Sequence, residues 1–322
     1  MTFPKNFIHI SHPRYLEHDT GSAEHPEIPK RLEEIKRHLR TLAVPGRVIS
    51  REPAGPAPQD WILKIHSEDY LLRFEETALS GLSYFGHPDN QLGYDTYEIA
   101  LLAAGAGLTG IDLAEKERPA VIFCSVRPPG HHAEKAMALG FCFLNNVAIA
   151  ARYWQEQHQR QRIAIIDFDA HHGNGIQAAF EESPEVFYLS LHEHPTFSFP
   201  GTGFAEEQGT GRGRGTTLNL PLLPGAGDAQ VEKAFRSRIE PALADFQPDA
   251  LIIAAGFDGH RLDEMSGLAY SSSLYRFLGQ RLAALAARHC QGRMVSILEG
   301  GYHLPSLGES FTEYCSGLLQ SP

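Results

Sequence analysis

Residues 163–175 read IAIIDFDAHHGNG, and this stretch decides how the rest of the chain is interpreted. Its first four residues form an apolar, mostly β-branched run that is typical of a buried strand. Because strand side chains two positions apart share a face, Asp167, Asp169 and His171 are expected to point the same way where the strand ends. Two carboxylates and an imidazole beside buried apolar surface are costly unless a cation compensates them. The stretch therefore predicts a divalent metal site; the alternative is that the aspartates cap the following loop.

Apolar runs elsewhere predict further strands, and the periodic segments between them predict helices. Strands are expected at 7–10, 120–126, 163–168, 186–191, 251–255 and 295–298. Helices are expected at 28–42, 97–116, 145–157, 230–246 and 273–288. Alternation of strand and helix favours one α/β domain over residues 1–322, with a parallel sheet covered by helices on both faces.

Polar motifs follow several of these strands at their carboxyl ends. The pair His131-His132 follows the second strand, His192 follows the fourth, Asp258 follows the fifth, and residues 299–302 (EGGY) follow the sixth. Ligands of such sheets bind at the carboxyl ends of the strands. The motifs are therefore expected to converge at one edge, where Asp258 would join the two ligands of the opening stretch.

Three protein ligands leave a position open for water and substrate, which is the arrangement of a catalytic zinc rather than a structural one. Ligand type alone does not identify the metal, because iron(II) or cobalt would accept the same set. His131 and His132 follow a rigid Pro-Pro-Gly turn and suit general acid–base chemistry at neutral pH. Tyr302, after paired glycines, could stabilise an oxyanion beside the metal. The alternatives are surface histidines and a tyrosine packed under a loop.

Composition restricts the class of partner. The chain has 322 residues, of which 42% are hydrophobic and 21% charged, and its formal net charge is −11. An acidic chain is a poor nucleic-acid binder because phosphate contacts need Lys and Arg. It suits cationic substrates such as lysine-rich proteins or polyamines. We expect no direct nucleic-acid partner.

Segment and cysteine patterns restrict the compartment. Four widely spaced cysteines without a CxxC pair argue against a disulfide framework or a thiolate zinc site, and favour a reducing compartment. The first residues lack an apolar signal-peptide core, and no apolar run approaches the roughly 20 residues that span a bilayer. We expect a cytoplasmic protein with no membrane partner, and a homo-oligomer stays open.

Together these motifs resemble the zinc-dependent histone deacetylase superfamily, and within it the class II-like bacterial histone deacetylase-like amidohydrolases. The resemblance runs from His25 to Tyr302 and is carried by residues 127–133, 140–146, 167–175, 190–192, 199–203, 255–258 and 299–302. It implies a single arginase-like α/β domain with a central, mostly parallel eight-stranded sheet. It also implies hydrolysis of acyl groups from the side-chain amine of lysine.

The resemblance implies a role for each matching residue. The zinc ligands would be Asp169, His171 and Asp258. The proton-transfer group would be His131 and His132, with Asp167 behind the first histidine and Asn174 behind the second. Tyr302 would polarise the acyl carbonyl.

The same resemblance implies a substrate channel and a second cation. The channel that admits the acyl-lysine stem would be lined by Gly140, Phe141 and Phe199. A structural potassium would be held, partly through backbone carbonyls, by Asp167, Asp169, His171, Ser190 and Leu191.

Three positions bear on subclass and substrate. Asn174 stands where class I enzymes have an aspartate, so it resembles class II and should leave His132 less basic. Polyamine-preferring members carry a glutamate where this chain has Met265, with Glu264 one residue short. Methionine there favours an acyl-lysine channel over a polyammonium gate. Asp89 is a candidate for holding the substrate backbone amide.

The expected function is therefore a zinc-dependent deacetylase acting on acyl-lysine proteins or peptides. The alternatives are an acetylpolyamine amidohydrolase acting on small acetylated amines, an arginase-type dimanganese ureohydrolase, and a non-catalytic acyl-lysine binding module. The sequence leaves open the native substrate, the acyl length, the oligomeric state and the choice between zinc and iron.

Overall fold

The computed structural model describes residues 6–22, 24–117 and 120–320. Within them the strands are β1 (Asn6–Ile10), β2 (Val48–Arg51), β3 (Ala120–Cys124), β4 (Ile163–Asp167), β5 (Val186–Glu193), β6 (Thr217–Leu222), β7 (Ala250–Ala255) and β8 (Met294–Leu298). They form one sheet in the order β2-β1-β3-β8-β7-β4-β5-β6, and every neighbouring pair is parallel. The expected single α/β domain with an eight-stranded sheet is confirmed, and the described strands are parallel throughout.

The two strands that the sequence did not predict, β2 and β6, lie at the edges of the sheet. An edge strand pairs on one side only, so its side chains meet more solvent and less core. Strand β2 is largely exposed and carries no apolar run. Strand β6 contains Pro221, which lacks the N–H of a ladder residue and is tolerated at an edge.

The α-helices are α1 (Lys30–Leu39), α2 (Gln59–Ile62), α3 (Glu68–Ser80), α4 (Thr96–Lys116), α5 (Asn146–Gln157), α6 (Asn174–Phe180), α7 (Asp228–Ala234), α8 (Glu240–Phe246), α9 (Ser272–His289) and α10 (Leu304–Gln320). All five expected helices are present. The expected helix 230–246 is divided, because a π-helical turn, Phe235–Ile239, joins α7 to α8. Helices α2, α3, α6 and α10 were not predicted.

Helices cover both faces of the sheet, as neighbouring residues of β8 show. Val295 faces α4: a Cβ added to Gly110 of that helix would lie 3.0 Å from Val295 Cγ1, so the glycine permits close packing. The next residue, Ser296, places its hydroxyl 2.8 Å from the hydroxyl of Tyr314 in α10. Successive strand side chains point to opposite faces. Helices α4 and α10 therefore pack on opposite sides of β8.

Helix α4 departs from one sequence-based expectation. Among the residues that the structure describes, this 21-residue helix has a window of mean hydropathy 1.3, long and apolar enough to cross a bilayer by length and composition. The expectation that no run reaches this length was wrong. Because 67% of that window is buried against the rest of the fold, α4 has the properties of a core helix.

Candidate metal centre and active site

The candidate site lies at the carboxyl ends of β3, β8, β7 and β4, which are neighbours in the sheet. Strand β3 leads to the histidine pair, β4 to Asp169 and His171, β7 to Asp258, and β8 to Tyr302. Parallel neighbours end at the same edge, so residues distant in sequence are brought together. The expected convergence is thus a property of the sheet order.

Asp169, His171 and Asp258 form the candidate metal centre, and their ligand atoms all lie within 4.8 Å of one another. His171 Nδ1 is 3.1 Å from Asp169 Oδ1 and 2.9 Å from Asp258 Oδ2. Its other nitrogen, Nε2, lies 3.0 Å from the carbonyl oxygen of Met265. A carbonyl only accepts, so Nε2 carries a proton and Nδ1 is directed at the carboxylates. This second partner fixes the ring as it does for metal-binding histidines.

Burial and charge show that this cluster fits a divalent cation. Asp258 Oδ2 is buried and makes no hydrogen bond to any described residue, despite its proximity to the His171 ring. Burial and the charge of Asp169 raise the pKa of Asp258 to about 7. Burial opposes a charged His171, yet Asp258 and Asp169 raise its pKa well above the usual value. The protons held here are those that a bound metal would displace.

Glycines allow the ligands to approach the backbone. A Cβ at Gly256 would lie 2.1 Å from Asp169 Oδ2, and one at Gly300 would lie 2.4 Å from Asp258 Oδ2. The N–H of Gly300 instead donates to Asp169 Oδ2 at 2.8 Å. Gly300 therefore lets the chain that follows β8 lie directly over the carboxylates, which a residue with a side chain could not do.

His131 is held by a carboxylate. Its Nδ1 lies 3.1 Å from Asp167 Oδ2, and the Tyr188 hydroxyl donates to the same oxygen at 3.1 Å. Asp167 Oδ1 accepts from the N–H of Asp169 at 3.1 Å. Burial disfavours a charged ring, but Asp169 and Asp167 outweigh it and raise the pKa of His131 to about 10. Asp167 thus lies behind His131, in the position that the resemblance implies.

His132 is held by an amide instead. Its Nδ1 lies 2.8 Å from Asn174 Oδ1, at the first residue of α6. Burial, followed by the charges of His131 and His171, lowers the pKa of His132 well below its ordinary value. The two adjacent rings, 3.9 Å apart between centroids, therefore differ in charge.

The histidine loop is fastened to β8 by a buried carboxylate. Glu299 Oε2 accepts from the backbone N–H groups of Gly130 at 2.7 Å and His131 at 3.1 Å. Burial raises the pKa of Glu299 to about 7, against the opposing charge of His131. This acid ties the turn after β3 to the strand that delivers Tyr302.

Tyr302 is set in place from both sides of its backbone. Asp263 Oδ2 accepts from the N–H of Tyr302 at 2.6 Å. The guanidinium of Arg31 lies over the phenol ring, 4.8 Å from its centroid, and its Nε donates to the Gly301 carbonyl at 2.6 Å. Burial raises the pKa of Tyr302 well above the usual value, although Arg31 opposes this. The phenol therefore stays protonated and able to donate a hydrogen bond.

The aromatic residues expected to line the channel lie against His132 and Tyr302. The Phe199 ring lies 4.9 Å from the His132 ring, and the Phe141 ring lies 5.8 Å from that of Tyr302. Gly140 lies close to both His132 and Phe199, since a Cβ there would be 2.4 Å from His132 Cδ2 and 2.9 Å from Phe199 Cε1. Phe199 is 41% exposed, which places it at the mouth.

The rim residues lie nearby with different contacts. Met265 is half-buried, and its carbonyl holds the metal-centre histidine, whereas Glu264 is exposed. Asp89 is half-buried; its carboxylate pairs with His87 Nδ1 at 2.6 Å, and its carbonyl lies 3.2 Å from His25 Nε2. The His25 ring packs on the ring of Phe141, with 4.8 Å between the two centroids. Asp89 thus lies one residue outside the channel wall.

Two of the residues expected to hold potassium, Asp169 and His171, belong to the candidate metal centre, and the others lie on β4 and β5. Ser190 of β5 is paired in register with Asp167 of β4, and both are buried. The Ser190 hydroxyl lies 2.7 Å from His192 Nδ1, and Leu191 is buried beside it. His192 Nε2 lies 2.9 Å from the Gly203 carbonyl, so both ring nitrogens of His192 have partners outside the metal triad. It fastens the loop that carries Phe199, and the potassium site stays a prediction.

Three residues of the site were not found from the sequence. Arg31 reads as one more charge on an amphipathic helix, and no motif marks it. Asp263 lies in a polar turn, and only its spacing from Asp258 could have drawn attention to it. Glu134 directly follows the 127–133 motif but is not part of it, yet its Oε1 lies 2.7 Å from Asn174 Nδ2. Each acts through another residue, which is why residue type alone did not reveal it.

A histidine pair and a tyrosine beside a candidate metal triad form the kind of site that metal-dependent amide hydrolases use. The family model of the histone deacetylase domain matches residues 25–318. The chain therefore belongs to the histone deacetylase family.

Individual relatives agree with this assignment. The chain is 39% identical to Histone deacetylase 10, chloroplastic, of Oryza sativa subsp. japonica, over all of this chain and 76% of that protein. It is 36% identical to the Histone deacetylase-like amidohydrolase of Pseudomonas aeruginosa, over 92% of this chain and 78% of that protein. It is 37% identical to Polyamine deacetylase HDAC10 of Homo sapiens, over 92% of this chain but 45% of that protein.

The fold has a close counterpart among solved structures. The crystal structure of the HDA15 HD domain superposes with a TM-score of 0.90 at 34% identity, over 98% of this chain and 90% of that chain. The protein is thus a hydrolytic deacetylase, as expected. A hydrolytic function excludes the alternative of a non-catalytic acyl-lysine binding module. The relatives are named for both histone and polyamine substrates, so the family does not decide the substrate.

Proposed function

We propose that this chain is a zinc-dependent deacylase that removes acetyl or another acyl group from the side-chain amine of lysine in proteins or peptides. The observation that carries the proposal is the placement of the Asp169, His171 and Asp258 triad opposite His131 and His132. One side of the site can hold a cation, and the other can move a proton. Together they supply the Lewis acid and the proton transfer of metal-assisted amide hydrolysis.

The donor set would hold one zinc ion through two carboxylate oxygens and one imidazole nitrogen. When bound, zinc supplies Lewis acidity and lowers the pKa of water at the site. A dimanganese centre of the arginase type needs further Asp and His ligands. In the described ranges, only this group of three has the spacing to hold a metal. We therefore favour a one-metal site.

Proton transfer would follow from the hydrogen bonds behind each histidine. Asn174 Oδ1 accepts from His132 Nδ1, which leaves Nε2 of that ring free to take a proton from the attacking water. Asp169 and Asp167 raise the pKa of His131, and Asp167 Oδ2 lies 3.1 Å from its Nδ1. The imidazole pair then returns a proton to the leaving amine.

Tyr302 would donate a hydrogen bond from its phenol hydroxyl to the acyl oxygen as negative charge develops there. Gly140, Phe141 and Phe199 would enclose the apolar stem of the acyl-lysine, with Met265 at the inner rim. Asp89 would accept from the backbone amide of the substrate at the outer rim. The proposal for Asp89 is supported by its contact with His25, which packs on Phe141.

The proposal extends to a structural potassium ion and to the compartment. The potassium ligands would be Asp167, Asp169, His171, Ser190 and Leu191. The cytoplasm is the proposed location, and four buried free cysteines support a reducing compartment.

An acetylpolyamine amidohydrolase is the second candidate. It is favoured by the 37% identity to a protein named as a polyamine deacetylase and by the exposed Glu264 beside Met265. A carboxylate at the rim would attract a polyammonium chain. Methionine at the rim favours the lysine substrate, since it offers no charge.

Paired assays test the proposal. Zinc-loaded protein is given an acetyl-lysine peptide and acetylspermidine, and kcat/KM is measured for each. A clear preference for the peptide supports the lysine substrate, and the reverse preference supports the polyamine. Metal analysis of the same sample should show one zinc per chain. Hydrolysis of neither substrate, or two manganese ions per active chain, would contradict the proposal.

A further inference from the structure

We propose that Glu134 is a positioning residue that orients the side chain of Asn174 and so decides which nitrogen of His132 carries the proton. The inference rests on the proposed function, because the position of this proton matters only if His132 takes a proton from water. Glu134 touches neither the candidate metal centre nor the channel. It acts through one intervening amide.

The two ends of the Asn174 amide face different partners. Asn174 Nδ2 lies 2.7 Å from Glu134 Oε1 and 3.3 Å from the backbone oxygen of His132, while its Oδ1 lies 2.8 Å from His132 Nδ1. The two ends of an amide have nearly the same shape but opposite hydrogen-bonding character. Only the chemistry of the neighbours can choose between the two orientations.

Two acceptors, Glu134 Oε1 and the backbone oxygen of His132, face Asn174 Nδ2, and Glu134 is the nearer and the charged one; an ionised carboxylate accepts hydrogen bonds and donates none. The NH₂ end of Asn174 must therefore face Glu134, and the oxygen must face the ring of His132. That oxygen accepts, so the proton of neutral His132 is on Nδ1 and the lone pair is on Nε2. The reverse orientation would place the amide oxygen 2.7 Å from the carboxylate oxygen and would turn the ring into the other tautomer.

Glu134 is itself held in place by backbone contacts. Its N–H donates to the Met137 carbonyl at 2.9 Å, which closes a short bridge in the loop. Its carbonyl accepts from His66 Nδ1 at 2.9 Å, and His66 Nε2 accepts from the N–H of Asn145 at 2.9 Å. These two contacts fix the backbone from which the half-buried side chain reaches Asn174. The fold thus places the Glu134 carboxylate beside the Asn174 amide.

The test exchanges donors and acceptors. Glu134→Lys replaces an acceptor with a donor, which would draw the amide oxygen of Asn174 toward residue 134 and turn its NH₂ end to His132. We expect kcat on an acetyl-lysine peptide to fall about 100-fold with KM nearly unchanged. Asn174→Asp alone places two carboxylates in contact and should lower kcat about tenfold or more. The double variant restores an acceptor facing His132 and a donor behind it.

Rescue in the double variant is therefore the decisive result. We expect its kcat to return to within roughly tenfold of the wild type, above both single variants. Glu182→Lys is the matched control, because Glu182 is exposed just after α6 and has no hydrogen-bond or ion-pair partner among the described residues. It should leave kcat unchanged. A double variant no better than either single variant would overturn the proposal.

A spectroscopic readout separates this proposal from the proposed function. Long-range ¹H–¹⁵N correlation of histidine-labelled protein should show His132 protonated on Nδ1 in the wild type and on Nε2 in Glu134→Lys, with the signal assigned by His132→Ala. An unchanged tautomer in Glu134→Lys would refute the role of Glu134. Absence of hydrolysis by the wild type, with the tautomer change intact, would refute the proposed function alone.

Discussion

At the scale of single residues, adjacent histidines acquire different properties from the groups behind them. A carboxylate stands behind His131 and an amide behind His132, at 3.1 Å and 2.8 Å respectively. A carboxylate adds both a charge and an acceptor, whereas an amide adds an acceptor only. One ring therefore holds its proton and the other can take one. Two tasks are divided between neighbours in the chain without any difference in residue type.

Replacing Tyr302 with Phe tests the role of a single hydroxyl. The ring contacts with Arg31 and Phe141 survive in this variant, so the loop should keep its place. Loss of one oxyanion donor typically costs a factor of about 100 to 1,000 in kcat. We expect a loss of that size on an acetyl-lysine peptide, with metal content at the wild-type level by elemental analysis. Unchanged turnover would remove Tyr302 from the mechanism.

Gly140 offers a matched comparison of backbone strain with steric conflict. Gly140 and Gly81 both have positive φ, 56° and 78°, so alanine costs each about 1 kcal/mol. A Cβ at Gly140 would lie 2.4 Å from His132 Cδ2, whereas one at Gly81 would meet nothing within 4 Å. We expect Gly140→Ala to lose more stability than Gly81→Ala in thermal unfolding, because the steric conflict adds to the backbone strain, and only Gly140→Ala to lose activity, by about 100-fold. Equal activities would show that the position of the His132 ring is not limiting.

At the scale of elements, the sequence predicted the parts of the fold whose apolar pattern is strong. The central strands β3, β4, β5, β7 and β8 are buried on both faces and read as continuous apolar runs. The edge strands carry no such run, because β2 is largely exposed and the leucines of β6 are interrupted by Asn219 and Pro221. Helix α6 begins at Asn174, within a stretch of glycines and polar residues that is typical of a loop. The residues that form the site therefore mask the start of this helix in the sequence pattern.

A buried ion network joins the segment before α1 to the loop after β3 and the end of β8. Glu27 Oε2 accepts from Arg127 Nη2 at 2.8 Å, and Glu27 Oε1 accepts from Arg31 Nη1 at 3.0 Å. All three side chains are fully buried. Arg31 also donates to the carbonyl of Glu299 at 2.5 Å. The loop after β3 and the end of β8, which lead to the histidine pair and to Tyr302, are thus fastened to the segment before α1 through one carboxylate.

Replacing Glu27 with Gln should destabilise the fold and change its acid response. Burial disfavours the carboxylate, but Arg127 and Arg31 outweigh it and lower the pKa of Glu27 from 4.5 to about 2. A depressed pKa contributes stability above the unfolded value, and this is lost as the pH falls from 4.5 toward 2. The contribution is about 3 kcal/mol. The variant also leaves two buried arginines without a counter-charge, which costs about 3–5 kcal/mol.

Urea unfolding at neutral pH and at pH 3 measures both effects. The wild type should lose more stability than Glu27→Gln on acidification, because the variant lacks this titration. Glu33→Gln is the control, since Glu33 is exposed on α1 and pairs with no described residue. It should behave as the wild type does. Parallel acid responses in wild type and Glu27→Gln would show that the network contributes nothing through this group.

At the scale of the whole molecule, the site is a consequence of strand order. The metal triad takes two residues from the loop after β4 and one from the loop after β7, and these strands are paired in register. The motif residues could therefore be predicted from the sequence, because each ends a strand that reads clearly. Arg31, Glu134 and Asp263 could not, because they act from a helix face and two loops whose positions only the folded chain defines.

Metal removal tests how far this edge of the sheet depends on a cation. Without one, burial and the charge of Asp169 raise the pKa of Asp258, so the folded protein holds protons that a bound metal would displace. A ligand that binds only the folded state at a thousandfold excess over its Kd adds about 4 kcal/mol. We expect chelated protein to melt roughly 5–10 °C below the zinc-loaded protein. Asp258→Asn should melt at one temperature with or without zinc, because the triad is broken. A zinc-dependent rise in the Tm of that variant equal to the wild-type rise would place the metal elsewhere in the molecule.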